Sequence, residues 1–175
     1  VIYFISDTHF CHDKDFLYVP RGYANIYDMN KDFIQKWNSV VNIDDEVYHL
    51  GDVMLNDNDT GMDILQNLKG NIHIILGNHD TDERVLLYQQ AWNVVDVCYA
   101  DSIKAGKWTF FLSHYPSMVS STATPKKRYN ISGHTHSKEI FQFPEYHIYN
   151  VAVDAHDGYP VSIEKILSDI NNRGN

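Results

Sequence analysis

Apolar runs recur along the first two-thirds of this chain, and each ends abruptly in a residue able to hold a cation. Val1–Ser6 runs into Asp7-Thr8-His9 and Glu46–Leu50 into Gly51-Asp52. Asn71–Leu76 runs into Gly77-Asn78-His79-Asp80, and Trp108–Ser113 into His114. Short continuous apolar runs read as buried strands. In open α/β sheets, ligands gather just beyond the carboxyl ends of such strands. A fold that brings those ends together would collect two aspartates, an amide and several imidazoles in one place.

The segments between the runs alternate helix with strand. Met29–Val41 follows Asp28, a good N-cap type, and spaces Phe33, Trp37, Val40 and Val41 helically. Thr60-Gly61-Met62-Asp63 has the form of a capping box and opens a short helix through Leu68. Asp82–Trp92 is a third helix, with Val85, Leu86 and Trp92 as its apolar members. After Asn93 the pattern changes to strands over Val94–Ala100, Trp108–Ser113, Tyr129–Ser132, Glu139–Phe143 and Tyr146–Val153. Phe143-Pro144-Glu145-Tyr146 is the predicted hairpin turn, and Ser162–Ile170 a closing helix. We therefore expect an α/β fold of two mixed β-sheets packed face to face with helices outside. A length of 175 residues fits a single domain, 1–175, with a sizeable core.

Composition narrows the partners. A net charge of −9 with no basic stripe argues against an extended nucleic-acid surface, though not against short or terminal ends. The cationic triplet Lys126-Lys127-Arg128 is either a solvated turn or a device that steers an anionic substrate. No apolar run approaches the ~20 residues needed to cross a bilayer, so no membrane partner is expected. Val1–Ile5 passes straight into Ser6-Asp7 with no basic segment before it, which reads as a strand and not a secretion signal. Cys11 and Cys98 give no disulfide framework and read as free thiols of a cytoplasmic protein, with Cys11 as a soft metal ligand the minor alternative. A structural zinc site would call for clustered cysteines, which this chain lacks. Phe10–Tyr27 and Tyr115–Arg128 are longer than packing needs and follow directly on candidate ligands, so they read as walls of a substrate pocket.

Carboxylate, amide and imidazole together suit borderline divalent ions, manganese first, with iron, nickel or zinc as alternatives. An oxygen-only calcium or magnesium cage would not call for so many histidines. Gly133-His134-Thr135-His136 puts two imidazoles on one side of a strand by period two. Taken singly, each motif has a plainer reading. An Asp-x-His is often a helix cap beside a surface histidine, and Gly-Asn-His-Asp a turn that tolerates left-handed backbone. Their occurrence together, in order, points to two divalent transition-metal ions. Such a pair exceeds the charge of two aspartates and leaves a site that attracts phosphate. Ions ~3.5–4 Å apart can activate a hydroxide and hold the oxygens of an in-line displacement.

The run Asp-x-His, Gly-Asp, Gly-Asn-His-Asp, His, Gly-His-x-His, from Asp7 to His136, resembles the calcineurin-like metallophosphoesterase superfamily. The resemblance implies a four-layer α/β/β/α sandwich with a dinuclear centre at the sheet edge. It implies that Asp7, His9, Asp52 and His136 hold one ion, and that Asp52, Asn78, His114 and His134 hold the other, with Asp52 bridging. His79 would contact the substrate phosphate or protonate the departing alkoxide, and Asp80 either orients it or diverges. The run Gly51-Asp52-Val53-Met54-Leu55-Asn56 lacks the Asp-Arg-Gly continuation of protein serine/threonine phosphatases. Together with the short chain, this is similar to small prokaryotic or phage-type members. The implied activity is hydrolysis of a small phosphodiester, nucleotides and cyclic nucleotides included, by a hydroxide that the two metals activate. A phosphomonoesterase, a small nuclease or a non-catalytic metal-binding scaffold are the alternatives. His12, Arg84 and Tyr115 are substrate-side candidates, with a solvent-facing loop histidine and an exposed helix arginine as the plainer readings of the first two. A small phosphorylated substrate is the expected partner, and the chain is expected to be a monomer or small homo-oligomer.

Overall fold

In the computed structural model, which describes residues 1–124 and 126–173, the helices between the first strands force those strands to run parallel. Strands β1 (Ile2–Ile5), β2 (Glu46–His49), β3 (Asn71–Ile75) and β4 (Val94–Cys98) form one sheet in the order β4-β3-β2-β1. A two-residue strand, Val161–Ser162, adds to β1 in the antiparallel sense. The second sheet takes β5 (Ala100–Ala105), β6 (Trp108–Ser113), β7 (Arg128–Ser132) and β8 (Ile148–Asn150) in that order, antiparallel between β5 and β6 and parallel thereafter. Both sheets are mixed and helices flank them, as expected.

Side-chain alternation divides β1 between two cores. Tyr3 and Ile5 face the cluster that holds Met29, Phe33 and Trp37, whereas Ile2 and Phe4 face the cluster that holds Phe110, Leu112, Ile131 and Tyr149. Helix α2 (Ile26–Val40) supplies the first core with Ile26, Met29, Phe33 and Trp37, an unbroken three-and-four spacing. Helices α3 (Asn58–Asn67) and α4 (Asp82–Tyr88) complete that layer with residues such as Leu65 and Tyr88. The closing helix α5 (Ile163–Arg173) sends Ile163, Ile166 and Ile170 into the second core.

Helix ends are where the sequence reading slips. The cap of α2 is Asn25, not Asp28; its side chain accepts from the Asp28 N–H at 2.9 Å. Asp57, not Thr60, caps α3, and Thr60 lies inside that helix with its N–H bonded to Asp57 at 3.0 Å. Helix α4 ends at Tyr88 because a tight turn follows, with the Ala91 N–H bonded to the Tyr88 carbonyl. Glu139–Phe143 forms no strand. Asn150 donates to the Ser137 and Glu139 carbonyls in place of a ladder, and only Phe141 bridges to Tyr149. The turn at Phe143–Tyr146 is present, closed by a 2.8 Å bond. A short helix α1 (Asp15–Tyr18) also interrupts the loop that follows β1.

The two sheets meet at their carboxyl ends. Ser6 donates to the Val151 carbonyl and accepts from Val153, both at 3.1 Å, and Val151 donates to Ser132 at 2.9 Å. This seam carries the ends of β1, β7 and β8 to one point, and the candidate ligands with them. No described helix is long and apolar enough to cross a membrane.

His49, at the end of β2, is wholly buried, and its ring bonds to the Thr8 hydroxyl at 2.9 Å. Burial pushes its imidazole down to about 4 from an ordinary 6.5. A folded-state value below the unfolded one means the stability it contributes is present above pH 6.5 and lost as pH falls toward 4. The shift corresponds to a loss on the order of 3 kcal/mol over that window. With a chelator present, the melting temperature of the wild type is expected to fall more steeply from pH 7 to 4 than that of His49→Gln. Equal slopes would show that His49 is not an acid-sensitive core group.

Candidate metal centre

The turns after β1 and β2 run side by side and fix each other's backbones. The Asp7 N–H bonds to the Gly51 carbonyl at 3.0 Å, His9 to Asp52 at 3.0 Å and Phe10 to Val53 at 2.9 Å. Asp7, His9, Asp52, His134 and His136 all adopt left-handed backbone, with φ of 58°, 48°, 55°, 69° and 52°. Such conformations cost about 1–3 kcal/mol each and persist where the surroundings over-determine them, typically at functional sites. The Asp80 carboxylate is one such determinant. It accepts from the N–H groups of Asp52 (2.8 Å), Gly77 (2.8 Å) and Val53 (3.2 Å) and from the Tyr88 hydroxyl (2.8 Å). Asp80 therefore ties the β2 and β3 turns together and does not orient the His79 ring.

The side chains converge in two groups around Asp52. In the first, the His9 and His136 Nε2 atoms lie 3.1 Å apart, and Asp7 Oδ1 is 3.9 Å from the former and 3.5 Å from the latter. In the second, Asn78 Oδ1, His114 Nε2 and His134 Nδ1 form a triangle with sides of 3.0 to 3.1 Å. Asp52 Oδ2 sits between the groups, 3.5 Å from His9 Nε2 and 3.6 Å from His114 Nε2. Its other oxygen accepts from the His79 N–H at 2.9 Å, which holds the carboxylate in that orientation.

This donor set fits divalent metal. Asp7 has one oxygen satisfied by the Ser6 hydroxyl and the His134 N–H, while the other is buried with no hydrogen-bond partner among the described residues and faces two imidazoles. An orphaned buried carboxylate oxygen is costly unless a cation or proton meets it. Among the described residues, Asp7 groups with His9 and His136, and again with Asp52 and His114, as arrangements able to hold an ion. Burial pushes His9 down to about 2 against the pull of Asp7, so its ring is neutral and has a lone pair to offer. Burial opposes ionisation of Asp7, but the His136 and His114 rings and the Ser6 hydroxyl hold its carboxyl well below the usual range. Burial pushes Asp52 upward instead. Cys11 lies outside the cluster; its sulfur contacts Asn30 at 3.7 Å, and it is a free thiol, as is Cys98.

The substrate-side candidates ring the same centre. His79 lies with its ring centroid 5.5 Å from that of His9 and 6.3 Å from that of His12. His12 is 9% exposed, so it is buried and not solvent-facing, and its Nδ1 has no partner among the described residues. Arg84 is half-buried and engaged: it donates to the His79 carbonyl at 2.7 Å and to Asn58 at 2.9 Å. Tyr115 stands edge-on to His134, 4.6 Å between centroids, and is 51% exposed. The loop that begins at Phe10 thus brings His12 beside His9, and the loop that begins at Tyr115 brings that ring against His134; Pro125, within the second, lies outside the described residues. Lys126, Lys127 and Arg128 are all exposed. Two participants escaped the sequence reading, Arg21 and Asp154, which pair across 133 residues with no spacing signal to connect them.

Gly133 leaves the room that this packing needs. A Cβ there would overlap the Ser6 hydroxyl and Asp7 Oδ2. Gly133→Ala is expected to cost at least the ~1–3 kcal/mol typical of overpacking, read as a lower melting temperature, and to weaken Mn²⁺ binding. An unchanged melt would mean the seam can open at no cost.

Comparison with known proteins places these residues in a wider group. Residues 1–151 match the calcineurin-like phosphoesterase superfamily domain. An uncharacterized protein of Methanocaldococcus jannaschii is 33% identical over 172 residues, which cover 95% of this chain and 89% of the relative. A crystal structure of a protein of unknown function from Aquifex aeolicus superposes with a TM-score of 0.72 at 23% identity, covering 95% of this chain and 97% of that one. It has the same fold. A structure described as a novel archaeal phosphodiesterase aligns with a TM-score of 0.47 at 21% identity, over 85% of this chain and 81% of that one.

Proposed function

Because the chain belongs to the calcineurin-like phosphoesterase superfamily, we propose that it is a metal-dependent phosphoesterase that hydrolyses a small phosphodiester. The observation that carries this reading is the placement of Asp52 Oδ2, within 3.6 Å of a nitrogen from each ligand group, as one carboxylate shared by two ions requires. Asp7, His9, Asp52 and His136 would hold one ion, and Asp52, Asn78, His114 and His134 the other. Manganese is the first choice, with iron, nickel or zinc as alternatives for the same donors. When bound, the two ions supply Lewis-acid charge at the phosphoryl group and lower the pKa of a water.

The chain's own residues do the rest. Asp7 and Asp52 are held by protein hydrogen bonds on one oxygen each, so the other oxygen is presented without reorganisation. His79 is anchored at both ends of its peptide, its N–H on Asp52 and its carbonyl on Arg84, which leaves the imidazole free to face the leaving oxygen. There it donates a proton to the departing alkoxide. His12 and Tyr115 flank the phosphate and bear on the ester groups from two sides. The preferred substrate is an alkyl diester, whose poor alkoxide leaving group gains more from His79 than an aryl oxide would.

The test is a panel of phosphomonoesters, linear diesters and 2′,3′- and 3′,5′-cyclic nucleotides, assayed after chelation and reconstitution with Mn²⁺, Fe²⁺, Ni²⁺ or Zn²⁺. Hydrolysis of diesters ahead of monoesters is expected. Protein that binds two ions yet turns over nothing in the panel would be a scaffold, and the reading would fall.

A further inference from the structure

Arg21 and Asp154 form an ion pair that is almost sealed from solvent, 6% and 10% exposed, directly behind the Asp7/His9/His136 group. The pair is bidentate: Arg21 Nε donates to Asp154 Oδ1 and Nη2 to Oδ2, both at 2.9 Å. Nη2 also donates to the carbonyl of Asp7 at 2.9 Å, and Nη1 reaches that of Thr8 at 3.5 Å. These carbonyls lie inside the turn that carries the left-handed residues Asp7 and His9. The guanidinium lies 5.8 Å from the Phe33 ring centroid, which fixes its plane from the helix side. Asp154 sits in a short 3₁₀ turn, Val153–Ala155, which is itself tied to the seam by the bond from Val153 to Ser6.

The third neighbour of this pair is His136. Its Nδ1 lies 3.8 Å from Asp154 Oδ2 and 3.4 Å from Arg21 Nη2. Nη2 has two hydrogens, and Asp7 and Asp154 take both, so nothing is left for it to donate to the ring. A histidine that presents Nε2 as a lone pair keeps its proton on Nδ1. Asp154 Oδ2, at 3.8 Å, is beyond hydrogen-bond reach of that N–H and bears on it through its charge. Outer groups of this kind fix the tautomer and aim of a ligating ring, and their loss typically costs about 10–100-fold in metal affinity.

We propose that Arg21 and Asp154 are positioning residues for one ion of the pair: Arg21 pins the Asp7–Thr8 carbonyls, Asp154 orients His136, and the ion bound by Asn78, His114 and His134 is indifferent to both. The inference rests on the two-ion reading of the site. Among the described residues no comparable buried charge pair lies behind the second group, where the His114 Nδ1 is satisfied by the Leu50 carbonyl at 2.7 Å.

Mn²⁺ titration calorimetry on chelated, metal-free protein tests this without any substrate. Asp154→Asn should weaken one of the two binding steps about 10–100-fold and leave the other within about twofold, while Asp154→Glu restores part of the loss. Combination identifies the step. Added to His134→Ala, Asp154→Asn should weaken the remaining ion; added to His9→Ala, it should leave the remaining ion unchanged. If Asp154→Asn does not fold, Arg21→Met with Asp154→Leu leaves no buried charge unpaired and is read in the same way. Unchanged affinity at both steps, equal loss at both, or the reverse pattern in the combined variants overturns the proposal. Wild type that binds two ions but hydrolyses no phosphoester would overturn the proposed activity and leave this inference standing.

Discussion

Asp52→Asn is expected to weaken both ions together, by about 100-fold or more, a loss above the range reached by removing outer groups alone. The amide keeps its oxygen on the His79 N–H, so the fold should be retained. What it removes is the negative charge at Oδ2, the atom placed between His9 and His114. Burial already disfavours ionised Asp52 in the metal-free protein, so the change should cost little stability there. Bound Mn²⁺ counted by mass spectrometry after gel filtration, with a melting curve as control, reads the result. Loss of one ion with the other held would show that Asp52 does not bridge.

The second large effect concerns turnover alone. His79→Ala should retain both ions, since its ring belongs to neither ligand group, while kcat falls about 10²–10⁴-fold, the usual contribution of a positioned general acid. The fall should be greatest for diesters with poor alkoxide leaving groups and smaller for aryl diesters. An equal fall across leaving groups would move His79 from proton donor to phosphate binder. Unchanged turnover would remove it from the reaction.

Much of this architecture was legible along the chain because it is written in local periods. The three-and-four spacing of Met29, Phe33 and Trp37 is a core-facing helical stripe whatever surrounds it. The alternation in β1 sends Phe4 and Ile5 to different cores by pleat geometry alone. Capping is less legible because Asp28 competes with Asn25, and Thr60 with Asp57, for the same role. At both helices, the residue that wins is the one whose side chain reaches a free N–H three positions on, Asn25 to Asp28 and Asp57 to Thr60. Glu139–Phe143 has the composition of a strand, but the Asn150 amide occupies the carbonyls that a ladder would use.

The candidate ligand types, their order and their position after apolar runs were determined by the sequence itself, since buried strands leave their polar residues just beyond their ends. Which imidazoles stand together followed from family resemblance alone until the tertiary structure decided it. Histidines are chemically alike and carry no address until sheet register and the Ser6–Val151 seam bring His136 to His9 and His134 to His114. The same holds for Asp80, whose carboxylate turns away from its neighbour His79 to bind turns from two strands, and for Arg21 with Asp154. Contacts between residues so far apart depend on how the sheets pack, and no local pattern encodes that.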